Sequence, residues 1–146
     1  MLYPVKVKKV GASYIASFEH ANGRFQGACE AATKKEVLQE AIGLLQAMIT
    51  SAVQEGELVP MPDSCQSGNH KVSISAKLGM KVLLNNTLIT SGKSKSQIGR
   101  NMNKTPTQIG RIFNPEHNST MDEMEAALSA MGYHLDLRLS DLRLAA

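Results

Sequence analysis

A chain of 146 residues with 42% apolar side chains can hold one ordinary domain or two small ones around a real core. The net charge is only +3, no apolar run approaches the roughly 20 residues of a membrane span, and the opening M-L-Y-P-V-K-V-K-K alternates instead of forming a signal-peptide block. Cys29 and Cys65 lack ligand spacing, so the expectation is a cytoplasmic protein with free thiols, no metal, no cofactor and no membrane association.

Tyr3, Val5 and Val7 alternate with Lys6 and Lys8; after a turn at Gly11, Tyr14, Ala16 and Phe18 alternate with Ser17 and Glu19. Period two across a short turn predicts a β-hairpin with one buried face. Asn22-Gly23 marks another turn, and a third strand is expected over Gln26 to Ala31. Thr33 and Glu36 form a capping box that opens a long helix. Its apolar face is Val37, Leu38, Ala41, Leu45, Met48, Ile49 and Ala52, with Gly56 just beyond. The prolines of L-V-P-M-P-D-S predict an extended loop, and alternation returns from His70 to Ala76. The first half therefore reads β-β-β-α-β, an α+β layer with one helix covering an antiparallel sheet. A boundary is expected at Ala76, giving domains 1–76 and 77–146.

The second half is mainly helical. Met80, Leu83, Leu84 and Leu88 stripe a helix ending before Gly92. Ser94 with Gln97, and Thr105 with Gln108, then make two capping boxes, with Pro106 at the first helical position. Asn103 is the expected left-handed stop of the first of these short helices. Gly99 and Gly110 each suggest close approach of a neighbouring backbone. Thr120 with Glu123 caps a further helix carrying Met124, Ala127, Leu128 and Met131, stopped by Gly132. Tyr133, Leu135, Leu137 and Leu139 then alternate with His134, Asp136 and Arg138, predicting a strand. A lone strand needs a partner, and the same strand of a second copy supplies one, so a homodimer or higher homo-oligomer is expected.

Charge separates the halves. Residues 1–76 hold seven bases and seven acids, and residues 77–146 nine and six. No carboxylate occurs between Asp63 and Glu116, while Lys71, Lys77, Lys81, Lys93, Lys95, Arg100, Lys104 and Arg111 all do. A one-sign stretch around a capped helical pair reads as a phosphate-binding surface. The segment from about Met80 to Gly132 resembles the helix-turn-helix of the Cro and phage-repressor type. On that resemblance Pro106 to Phe113 is the recognition helix.

Catalytic signals are weak. The β-β-β-α-β order also opens the ribonuclease H fold, whose metal ions need clustered carboxylates. Here Glu19 and Glu30 read as solvent-facing, and His20, His70, His117 and His134 are scattered. There is no phosphate-binding glycine loop and no activated serine or cysteine, so no catalytic residue is assigned.

The whole chain is similar to the HicB antitoxins of bacterial HicA–HicB systems. The resemblance is carried by Y-P-V-K-V, Y-I-A-S-F-E, K-E-V-L-Q-E-A and L-V-P-M-P, and it spans nearly all of residues 1–139. The chain departs from the family in having E-H-A-N-G-R-F-Q-G where many members have an Asp-x-Pro-Gly-type turn. The resemblance implies a partial ribonuclease H-like first domain that covers a small mRNA-cleaving HicA-type toxin. It also implies a second domain that binds double-stranded operator DNA and represses the operon; Tyr133, Leu135, Leu137 and Leu139 are the dimerisation residues expected from the alternation above. Thr105, Thr107, Gln108 and Arg111 are the candidates for base edges, with Gln suited to adenine and Arg to guanine. Lys95, Ser96, Lys104 and Asn114 are the candidates for phosphates. Glu19, Glu30, Glu55, Glu57 and Asp63 are candidates to meet a basic toxin. A repressor whose first domain senses a small molecule or another protein is the alternative, and a metal-dependent ribonuclease H-like nuclease is a third reading. The closing R-L-A-A resembles tails read by ClpXP-type proteases.

Overall fold

The computed structural model describes residues 1–20, 23, 25–139 and 141. Asn22 of the expected turn and the R-L-A-A tail lie outside them. The chain separates into two compact units, Met1–Ser51 with Pro60–Ala76, and Ala52–Val59 with Lys77–Asp141.

The first unit is a four-stranded antiparallel sheet in the order β3-β2-β1-β4. Its strands are β1 (Leu2–Val10), β2 (Ser13–Phe18), β3 (Gly27–Ala31) and β4 (His70–Ser73). Alternation does what it predicts: Tyr3, Val5, Val7, Ala16, Phe18 and Val72 are buried, while Lys6, Lys8, Glu30 and Lys71 are exposed. The covering helix is α1 (Lys34–Gln54), opened by the reciprocal Thr33–Glu36 bonds. Val37, Ala41, Leu45 and Ile49 form its buried stripe. Gly27 allows the helix to come this close, because a Cβ there would sit 2.9 Å from Met48 Sδ and 3.3 Å from Leu44 Cδ1.

The loop after α1 is pinned by side chains that imitate backbone. Tyr3 Oη donates to Pro60 O at 3.0 Å, and burial pushes that phenol's pKa up. The Asn69 amide donates to Val7 O and accepts from Val7 N–H, each at 2.8 Å, which extends the β1–β4 ladder by one side-chain rung. The fourth strand is shorter than its alternation suggests. Val72 and Ile74 are buried, but Ala76, a strong helix former, already begins the next helix.

In the second unit α2 (Ala76–Ser91), α3 (Lys95–Asn101), α4 (Pro106–Phe113) and α5 (Met121–Ala130) enclose one core. Met80, Leu84, Ile98, Ile109, Ile112, Phe113, Met124, Leu128 and Met131 fill it. The residues before α2 that join this unit are held by amides. Asn86 exchanges two hydrogen bonds with Val59, at 2.9 and 2.7 Å, and Asn85 donates to Glu57 O at 2.8 Å. Gly132, at φ +93°, ends α5, and Tyr133 N–H closes back on Leu128 O at 3.0 Å. Residues 133–139 form no strand within the chain, so the expected C-terminal strand is absent from the single copy. Leu135 packs against the helical core, while Tyr133, Leu137 and Leu139 are exposed.

Candidate nucleic-acid interface

The capped pair forms as its sequence dictates. In both boxes the cap hydroxyl accepts from the third helical N–H and the glutamine Oε1 accepts from the cap N–H, Ser94 with Gln97 and Thr105 with Gln108. Asn103 adopts φ +53° between the helices. Gly99 makes the close approach possible, since a Cβ there would lie 3.1 Å from both Ile109 Cγ1 and Lys104 O. Gly110 makes no such approach: nothing lies within 4 Å of its Cβ position. Its place on the solvent side of α4 is the reason, because Ile109, Ile112 and Phe113 already supply the buried side.

That packing sorts the candidate residues. Thr107, Gln108 and Arg111 share the exposed face of α4, flanked by exposed Ser96 and Thr105. The Thr105 hydroxyl oxygen and the Gln108 carbonyl oxygen are spent on the cap, which leaves the Gln108 NH2 and the Thr107 hydroxyl to face outward. Asn114 ends α4, and its Oδ1 accepts from Glu116 N–H at 3.0 Å. Two more of the phosphate candidates have internal partners. Lys104 Nζ lies 3.6 Å from Glu123 Oε1, and that carboxyl is held below its usual range chiefly by the Thr120 N–H, then by the Thr120 hydroxyl and by Lys104. Lys95 Nζ stands 5.6 Å from the centre of the Phe113 ring.

The acid-free run is therefore less uniform than a count of bases suggests. Lys81 is not on the surface at all. Its Nζ donates to Ile112 O at 2.6 Å, to Ser119 Oγ at 2.7 Å and to Arg111 O at 3.2 Å. Burial pushes its pKa down to about 8, with Lys77 lowering it further and Glu123 opposing. Lys93 Nζ likewise donates to Ala130 O, at the end of α5. Both ammonium groups answer the exposed carbonyls and the negative dipole end of a helix. Gln97 and Arg100 on α3 are exposed as well.

The five acids proposed for a basic partner divide between the units. Glu30 lies on the open sheet face, in the row of Ile15 and Lys8, and Glu19 follows β2 beside Lys6. Asp63 sits in a 3-10 turn, Pro62–Ser64, and Glu55 and Glu57 belong to the other unit. Among the described residues no group of three or more His, Cys, Asp or Glu is placed to hold a metal ion. Among them, too, no helix is long and apolar enough to cross a membrane.

Fold and interface together define a two-unit protein, an α+β unit followed by a helical unit with a capped helix-turn-helix. No protein-family model matches the chain. It is 30% identical over 101 residues to the antitoxin HicB of Pseudomonas fluorescens, covering 68% of this chain and 69% of that one. The antitoxin HicB of Escherichia coli K12 is 29% identical over 112 residues, 74% of this chain and 81% of its own. Antitoxin HicB 2 of Photorhabdus laumondii is 28% identical over 141 residues, 94% and 95% of the two chains. The chain belongs to the HicB antitoxin family, whose members are not enzymes.

Proposed function

We propose that this antitoxin neutralises a HicA-type ribonuclease toxin through its sheet-bearing unit and represses its own operon by inserting α4 into operator DNA. The observation that carries the DNA half is the exposed face of α4, where Thr107, Gln108 and Arg111 project from a helix fixed by its cap and core, with no carboxylate between Asp63 and Glu116. With Gln108 Oε1 engaged at the cap, its free NH2 suits acceptors such as purine N7, and Arg111 suits guanine O6 and N7. Family membership supports the toxin half.

The assembly that suits this reading is a homodimer through residues 133–139. Leu137 and Leu139 stand exposed in a segment with no ladder partner among the described residues, and the same segment of a second copy supplies one. Two recognition helices would then read half-sites about one helical turn apart, roughly 34–36 Å.

Co-expression with the neighbouring open reading frame tests the toxin half: the two chains should co-purify and growth should be rescued. Footprinting the DNA upstream of the gene tests the other half, and a footprint without dyad symmetry would overturn the dimeric reading. Truncation after Gly132 should give monomers in sedimentation, and a truncated protein that stays dimeric would remove 133–139 from the interface.

A further inference from the structure

Lys81 has no place in the interface described above, yet it is one of the largest fully buried side chains in the protein. It lies on the stripe of α2 that includes Leu84 and Leu88, where another apolar residue would be expected. A buried ammonium is costly unless its donors are satisfied. Here all three N–H donors have oxygen acceptors, two on the last turn of α4 and one on Ser119, immediately before the Thr120 cap of α5. Ser119 Oγ in turn donates to Arg111 O at 3.2 Å, so the two side chains share one carbonyl. Charged groups act on the ammonium from two of the helices around it, Lys77 on α2 and Glu123 on α5. α4 presents its carbonyls inward, while the Arg111 side chain points to solvent.

We propose that Lys81 is a positioning residue for DNA readout: its ammonium ties α2, the end of α4 and the start of α5 together, and so sets the angle at which Thr107, Gln108 and Arg111 meet base edges. The inference rests on the operator-binding reading of α4. Lys81 acts without reaching DNA. The bonds fall on the carbonyls of Arg111, itself a reader, and of Ile112, about one turn beyond Thr107 and Gln108, so a small tilt at this end displaces the whole exposed face. Generic phosphate attraction depends on surface cations and tolerates such a tilt, whereas base readout does not.

The test compares full-length wild type with Lys81→Met and Ser119→Ala. Two duplexes are used, the DNA immediately upstream of the gene and a scrambled duplex of equal length, each across a salt series. Lys81→Met should lower the ratio of upstream to scrambled affinity by about tenfold or more. The dependence on salt should stay as in wild type, because no phosphate contact is lost. Ser119→Ala, which removes one of three acceptors, should lower the ratio by a smaller factor, and it carries the test if Lys81→Met does not fold. A purely stabilising lysine would reduce binding to both duplexes equally, which would overturn the inference. So would an unchanged ratio in the folded variants, or a salt slope falling by about one unit, the mark of a direct phosphate contact. A wild type that does not prefer the upstream duplex would instead overturn the operator-binding reading itself.

Discussion

Gly99→Ala and Gly110→Ala make the same chemical change at the middle of adjacent helices, and the structure assigns them opposite signs. Each adds a methyl that favours helix by about 1 kcal/mol. At Gly110 nothing lies within 4 Å of the new Cβ, so that gain should appear nearly whole. At Gly99 the Cβ would meet Ile109 Cγ1 and Lys104 O, both at 3.1 Å. Ile109 is 1% exposed and locked in the core. The Lys104 carbonyl belongs to a turn whose own N–H bonds back to Gly99 O at 2.9 Å, so it yields poorly. Overpacking of this kind costs about 1–3 kcal/mol, which outweighs the propensity gain and leaves a net loss of about 0–2 kcal/mol. Thermal unfolding followed by circular dichroism should show Gly110→Ala melting about 4–8 °C higher and Gly99→Ala lower than wild type. Two variants that rise together would refute the reading of Gly99 as the point where α3 and α4 touch.

Other outcomes follow from particular contacts. Arg111→Ala should relax sequence preference at one base position at a cost of about 1–3 kcal/mol, while Lys95→Ala should weaken binding to every duplex and lower the salt slope by about one unit. Asn69→Ala removes both bonds to Val7 and should cost about 1–3 kcal/mol in urea unfolding. Asn69→Asp, which sets a carboxylate against the Val7 carbonyl, should be worse. Lys81 titrates near 8 when folded against 10.5 otherwise, so above pH 8 the unfolded chain keeps a proton that the folded chain has released. Its share of stability is therefore smallest below pH 8 and grows as pH rises, and the wild-type melting temperature should gain on that of Lys81→Met between pH 7.5 and 9.

What could be read from the sequence was mostly local. A capping box needs only two residues three apart, and Ser94, Thr105 and Thr120 each form theirs as spaced. Strand alternation likewise fixed which of Tyr3, Val5 and Lys6 would be buried. Tertiary decisions were not legible. His70 to Ala76 alternates throughout, yet helix propensity claims the last residue. Lys81 counted as one more surface cation, although its spacing of three and seven from Leu84 and Leu88 set it on an apolar stripe. Residues 52–59, the end of α1 and the segment after it, run on in sequence from the first unit, but the Asn85 and Asn86 amides hold Glu57 and Val59 in the second.

The lysines held inside the second unit also separate two quantities usually inferred from one another. A polyanion approaching from a distance feels the summed field, to which Lys81 and Lys93 contribute because the oxygens they touch are neutral, whereas Glu123 offsets Lys104. On docking, counter-ions leave only where a cation meets a phosphate, and Lys81 meets none. Encounter should thus reflect buried as well as exposed bases, while the complex responds to added salt as if it had fewer.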